Sequence, residues 1–391
     1  MATDLQAKLQ ELTALPNTEH PLLSVYVDYR PDGNGQRQAI QMLEQDFDII
    51  ADQVKGRGGN LKSFEADRQR IMDYVNRDAP KDANGLAIFA CDAEGLWEAL
   101  PLQVPIETRL VEDRYPHIFN LARILDDYET YAVVLADSQE SRIFVISLNE
   151  AEKAGETEAG EEIRRFDAGG WGQMLFQRRT ENVIKAHTKE IADKLNRIMR
   201  RHDVQHVIIA GNDSVKGLVM ASLSQQIKDK LVDFINLDIQ SNMQSIMEAI
   251  EPRMREVEQD QEADDLDTLE AQVNTKGGHG VVGVADTAMA LTKGQVMTLI
   301  IHQGFNAIGG ECPNCGTIRP GLRNNCPYDG AEMQQVNLRE IFTARAVQQA
   351  ATVQVVEASD YLDQHEGVGA ILRYSDAPQA QEVNAGRHQN G

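Results

Sequence analysis

No uncharged apolar run long enough to cross a bilayer occurs in this 391-residue chain, which argues against a membrane span. The N-terminus, Met1-Ala-Thr-Asp-Leu-Gln-Ala-Lys, lacks the basic and then apolar pattern of a secretory signal, so a cytoplasmic protein is expected. Cysteine is scarce, with four in all and three of them at 312, 315 and 326. That grouping suits a metal framework better than a disulfide framework. Positive charge is short as well: 38 Lys and Arg stand against 61 Asp and Glu, for a net charge of -23. Binding to phosphate draws on Lys and Arg, so a surplus of this sign weighs against a polyanionic partner for most of the surface and against DNA.

What is present redirects that reading. Hydrophobic content of 42% supports globular folding, and the length exceeds one ordinary core, so three domains are expected. Between Ile163 and His202 ten basic residues face four acidic ones, a local excess of six positive charges. Just ahead of most of them lies Gly169-Gly170-Trp171-Gly172-Gln173. Glycine lets the main chain approach a ligand closely, and a glutamine amide orients a water without ionising. Gly169, Gly170 and Gln173 are thus candidate catalytic residues. Trp171, Arg178, Arg179, Lys185 and Lys189 are candidates for holding RNA by stacking and phosphate contact.

Periodicity divides the chain into an α/β (α+β) three-domain protein. Helical spacing over 4–15, 37–55 and 65–77 alternates with apolar strands at Leu22 to Asp28 and Gly85 to Cys91, giving an N-terminal α/β domain over 1–127. Strands at Tyr131 to Ala136 and Ser141 to Ser147 open a middle domain, 128–272. It continues through a glycine- and glutamate-rich connection at 154–162, a long helix over 174–202 and a strand at Val204 to Ala210. Residues 256–270, dense in Asp, Glu and Gln, read as a helix end and linker. A C-terminal α/β domain follows over 273–375, with a zinc-ribbon-like insert at 309–333, and the tail 376–391 reads as disordered.

The insert carries Cys312-Pro-Asn-Cys315 and Cys326-Pro-Tyr-Asp329, two knuckles ten residues apart. This spacing brings four ligands around one tetrahedral ion. A structural zinc is expected, with Asp329 as fourth ligand or His302 or His365 in its place. No nearby acid-base groups suggest a catalytic role.

With these motifs in place, the chain resembles the archaeal and eukaryotic class-1 peptide release factor superfamily. That superfamily includes Pelota, the peptidyl-tRNA hydrolase of ribosome quality control, and bacterial relatives such as Balon. Gly283-Val-Ala-Asp-Thr-Ala-Met-Ala-Leu291, Val296 to Ile301 and Gly367 to Tyr374 look like the family's C-terminal signatures in order. Asn60-Leu61-Lys62-Ser63 resembles the codon-reading Asn-Ile-Lys-Ser loop, and equally suits a turn capping the next helix. The family places Gly-Gly-Gln before a basic helix. Aligning Phe176 with the family's phenylalanine puts Gly169 and Gly170 on the two glycines, Trp171 on the glutamine, and Gln173 two residues late.

The resemblance implies a ribosome-binding translation factor that enters the A site, meets rRNA and peptidyl-tRNA, and works with a translational GTPase. Either Gln173 still reaches the peptidyl ester and the protein is a peptidyl-tRNA hydrolase, or the amide is lost and it is a non-hydrolysing rescue or hibernation factor. A metal-stabilised adaptor that never touches the ribosome is the third reading; it leaves the C-terminal signatures without an explanation.

Overall fold

The computed structural model describes every residue except 1, 34, 128, 138, 148–149, 159–170, 212, 322–324 and 376–391. The expected tail therefore lies outside the described residues. The protein is a mixed α/β chain with four sheets, and it divides into two compact units, Met1–Asp260 and Gln261–Gly391.

The first unit opens with α1 (Ala2–Thr13), β1 (Leu22–Asp28), α2 (Gln38–Gly56) and α3 (Leu61–Asp73). The strands β2 (Gly85–Cys91), β3 (Leu96–Leu102) and β4 (Arg109–Asp113) and the helix α4 (Phe119–Asp127) follow. The sheet order is β3-β2-β1-β4, antiparallel throughout. Alternation in β1 puts Leu23, Val25 and Val27 on the face covered by Leu43 and Phe47 of α2 and Phe64 and Ile71 of α3. On the other face Tyr26 donates its hydroxyl to the His117 carbonyl at 2.6 Å.

A five-stranded sheet follows, built from β5 (Tyr131–Ala136), β6 (Glu140–Ser147) and β7 (Glu150–Glu158), then α5 (Trp171–His202), β8 (His206–Gly211), α6 (Asp213–Ser222), α7 (Gln225–Asp229) and β9 (Leu231–Ile235). Its order is β7-β6-β5-β8-β9, with β5, β8 and β9 parallel. A strand buried on both faces reads as a continuous apolar run, and β5 is one. Ala132 and Val134 pack toward α5, α6 and α7, whereas Tyr131, Val133 and Leu135 pack toward Ile246 and Ile250 of α8 (Met243–Asn274). The glycine- and glutamate-rich segment expected as a connection is in part the edge strand β7. It pairs with β6 over its whole length, and Gly155 brings it so close to α5 that a Cβ there would meet Lys194 at 2.9 Å.

Residues 256–270, expected as a helix end and linker, are helical throughout, inside α8. The spacing of Leu266, Leu269 and Val273 explains this, because one helix face is apolar at that end and Leu269 is fully buried.

The second unit holds β10 (Gly280–Val282), α9 (Val284–Thr292), β11 (Val296–His302), α10 (Leu338–Gln348), β15 (Thr352–Val356), α11 (Asp360–Gln364) and β16 (Val368–Leu372). Between β11 and α10 lie β12 (Ile308–Glu311), β13 (Ile318–Pro320) and β14 (Gln334–Asn337). The main sheet runs β10-β16-β11-β15, with β11 parallel to β15. The three C-terminal sequence motifs meet in it. β11 and β16 are antiparallel neighbours, the Gly283 N-H donates to the Val368 carbonyl at 2.8 Å, and Glu366 receives the Val284 N-H at the start of α9. The strands β13, β12 and β14 form the separate ribbon.

Candidate functional sites

The thiols and the carboxylate expected at the knuckles converge. The ligand atoms of Cys312, Cys315, Cys326 and Asp329 all lie within 4.8 Å of one another. The Cys315 and Cys326 sulfurs are 3.5 Å apart, and the Cys312 sulfur is 3.4 and 3.5 Å from the two Asp329 oxygens. Four ligands at zinc-thiolate distance about a tetrahedral ion stand about 3.8 Å from one another, so this donor set fits such an ion.

The backbone explains why aspartate takes the fourth place. In the first knuckle the Cys312 N-H donates to the Thr317 carbonyl and the Gly316 N-H to the Cys312 carbonyl, both at 2.9 Å. In the second, the Cys326 N-H donates to Ala331 at 2.8 Å and the Gly330 N-H to Cys326 at 3.0 Å. Gly316 and Gly330 close the two turns at φ of 68° and 75°, the left-handed region that suits glycine. Asp329 therefore occupies in the second knuckle the place that Cys315 occupies in the first. His302 and His365 sit elsewhere: His302 Nδ1 accepts from the Gly304 N-H, and His365 Nδ1 lies 2.7 Å from the Tyr361 carbonyl.

The electrostatics of the cluster is uneven. The Ala331 N-H holds the Asp329 carboxyl below the usual carboxylate range, and the Thr317 hydroxyl lowers the Cys315 thiol. Burial pushes the Cys312 thiol up to about 11. An anchor fixes the first knuckle from outside: Arg345 of α10 donates to Glu311 at 2.6 Å and to the Gly316 carbonyl at 3.3 Å. The sequence motifs gave no sign of Arg345, because it lies thirty residues beyond Cys315 on a helix.

The second site is α5. Gly169 and Gly170 lie outside the described residues, whereas Trp171 and Gln173 fall in the first turn of the helix and Arg178 and Arg179 two turns further on. Lys185 and Lys189 are exposed, and so are Arg197, Arg200 and Arg201. Lys194 is committed to the fold, since its ammonium meets the Glu156 carbonyl on β7. From 182 to 186 no side chain is buried, and burial sets in at His187, Thr188, Ile191, Ala192 and Leu195. At 1.5 Å rise per residue, Gln173 stands about 21 Å along the axis from His187. A helix start also leaves its first N-H groups without intrahelical acceptors and carries the positive end of the dipole, which suits an anionic ligand.

In the N-terminal sheet region, Asn60 caps α3 by accepting the Ser63 N-H at 3.2 Å, and the buried Ser63 hydroxyl accepts the Ala93 N-H at 2.9 Å. Of these three candidates, Ser63 is buried, whereas Asn60 and Lys62 are exposed.

Residues 116–255, which take in the whole five-stranded sheet and α5, match the model of bacterial archaeo-eukaryotic release factor family 10. Over those residues the chain is similar to the bacterial archaeo-eukaryotic release factors. An uncharacterised protein of Mycobacterium tuberculosis is 21% identical over 379 residues, covering 94% of this chain and 96% of its own. Among solved structures, the archaeal translation termination factor aRF1 is 18% identical, covers 95% of this chain and 98% of its own, and gives a TM-score of 0.27. A ribosome-bound archaeal Pelota is 14% identical over 96% of this chain and 94% of its own, with a TM-score of 0.41. No helix among the described residues is long and apolar enough to cross a membrane.

Proposed function

We propose that this release-factor relative is a cytoplasmic, ribosome-binding translation factor whose α5 carries the Gly169 to Gln173 segment into the A site toward peptidyl-tRNA. The observation that carries this reading is the construction of α5. Its C-terminal half is built into an apolar core from His187 onward, its exposed face bears Lys185 and Lys189, and Gln173 lies in its first turn about 21 Å from that anchorage.

Ester hydrolysis needs no ionisable side chain here. Gln173 positions the water, free N-H groups at the start of α5 face the developing oxyanion, and Gly169 and Gly170 allow close backbone approach. Arg178, Arg179, Lys185 and Lys189 set register on rRNA phosphates, and Trp171 stacks on a base. Cys312, Cys315, Cys326 and Asp329 of the zinc-ribbon-like insert would hold a structural zinc, whose role would be to tie the two knuckles together rather than to take part in the chemistry. Lys62, with Asn60 and Ser63 shaping its turn, borders the decoding region, and a translational GTPase is the expected delivery partner. The three-domain division at 127/128 and 272/273 belongs to the same reading.

A second reading has its own support. Trp171 begins the helix at the place where the family's glutamine is expected, which favours a rescue or hibernation factor that occupies the A site without hydrolysis. Ribosomes carrying labelled peptidyl-tRNA and an empty A site separate the two. Peptide release by the parent protein that disappears in Gln173→Ala supports the hydrolase. Binding without release rejects it in favour of occupancy, and no binding rejects both.

A further inference from the structure

β4 ends its sheet with only one neighbour. It pairs with β1, and among the described residues no backbone group meets its outer edge. An open edge is a template for another strand, and proteins usually defend it with charge. Here the charges have an order. Arg109-Leu110-Val111-Glu112-Asp113 is complementary to itself when reversed, because antiparallel pairing centred on Val111 sets each Arg109 against the other copy's Asp113.

We propose that β4 pairs antiparallel with β4 of a second copy of this chain, joining two four-stranded sheets across a two-fold axis at Val111. This surface is separate from the α5 site and does not depend on the function assigned to it.

Three further observations favour this occupant. Arg109 is exposed and makes no recorded ion pair among the described residues, so it is available to a partner. Glu112, the charge nearest the core, is already neutralised by Arg57 at 2.5 Å and does not repel an approaching strand. Beside the strand, a groove of about 430 Å³ runs between β4 and α2, lined by Ile49, Ile50, Gln53 and Leu110. On the rim of α2 Met42 and Ile49 are 54% and 57% exposed, two turns apart on one helix face. A two-fold axis perpendicular to the joined sheet leaves both copies of α2 on one side of it, so these apolar side chains face each other across the axis. A register shifted by two residues sets Arg109 against Val111 and leaves Asp113, bonded within its own chain to His117 at 2.8 Å, without the other copy's Arg109. The charge pattern therefore selects one alignment. Five residues of strand and one helix face make a small interface, so a reversible dimer is expected rather than an obligate one.

Sedimentation velocity of the full chain across the micromolar to sub-millimolar range tests this, with circular dichroism as the check on folding. The parent shows a concentration-dependent dimer. Arg109→Asp alone and Asp113→Arg alone each bring like charges together twice and weaken dimerisation about tenfold or more. An equimolar mixture of the two restores both pairs and the dimer. Ile49→Asp, on an exposed helix position, weakens association without being repaired by mixing, and it keeps the test open should Asp113→Arg misfold through loss of its His117 contact. A parent chain that stays monomeric throughout overturns the proposal. So does a mixture of charge variants no tighter than either alone.

Discussion

In the five-stranded layer, β5 and β8 have apolar helices on both faces, with Leu195, Ile191, Val219 and Ile227 on one and Ile246 and Ile250 on the other. The ribbon at β12 to β14 has much less, with Ile318 and Val336 buried on its strands. Its buried apolar cluster consists of Cys312, Cys326 and Met333, with Ala331 packed against it. The first region would fold on hydrophobic burial alone, whereas the second gathers its ligands where a core would otherwise be. The contrast shows why the two candidate sites report differently on damage: α5 is mounted on a core, and the knuckles are the core of the ribbon.

Metal removal breaks this comparison most strongly. Structural zinc in small domains binds with about 10–16 kcal/mol, so a chelator, or Cys326→Ser, is expected to abolish bound metal and strip amide-exchange protection from residues 309–337. Protection in β5 and β8 is expected to survive. Equal loss in both regions would contradict the division.

Leu195→Ala is the converse experiment. Leu195 is fully buried under the sheet, and truncation there is expected to cost about 2–5 kcal/mol. The melting transition of the layer should fall while zinc content, measured by atomic emission, stays at the parent value.

A buried carboxyl in the N-terminal core supplies a smaller, pH-dependent effect that an apolar core does not show. Asp67 is buried and accepts the Asp92 N-H at 2.8 Å, and desolvation raises its pKa to about 6 from 3.8. The folded state therefore disfavours the ionised form. Stability is lost as pH rises from near 4 through about 6, and the cost is absent below that window. Asp67→Asn keeps an acceptor for Asp92 and is expected to stabilise the protein by about 1–2 kcal/mol at pH 8, with the gain gone at pH 4. Denaturant melts at the two pH values check this; an equal gain at both would locate the effect elsewhere.

Much of this architecture was legible in the chain because its central strands are buried. Gly85 to Cys91 and Tyr131 to Ala136 read as strands from unbroken apolar runs, and the structure places both within sheets. The knuckles were legible from spacing, which reflects how two short turns present ligands. β7 was not legible, since Glu150-Ala-Glu-Lys-Ala-Gly-Glu-Thr-Glu158 has no strand pattern and owes its conformation to β6 beside it and α5 across Gly155. The helical course of 256–270 was hidden by charge, because only Leu266, Leu269 and Val273 reveal a buried face. Sequence also counted Lys194 within the basic excess without revealing that it is spent on β7.

The long helix α5 has one more consequence, which concerns phase. Positions along a helix differ by 1.5 Å in height and about 100° in azimuth, so Trp171 and Gln173 stand about 3 Å and 200° apart around one axis. Moving a group by two places in the sequence thus turns it to nearly the opposite side while hardly changing its reach. Adding one residue between 174 and 186 would swing the whole tip by about 100°, whereas adding seven would advance it about 10 Å and restore its bearing to within about 20°. What α5 transmits from the sheet to its far end is an angle as much as a distance.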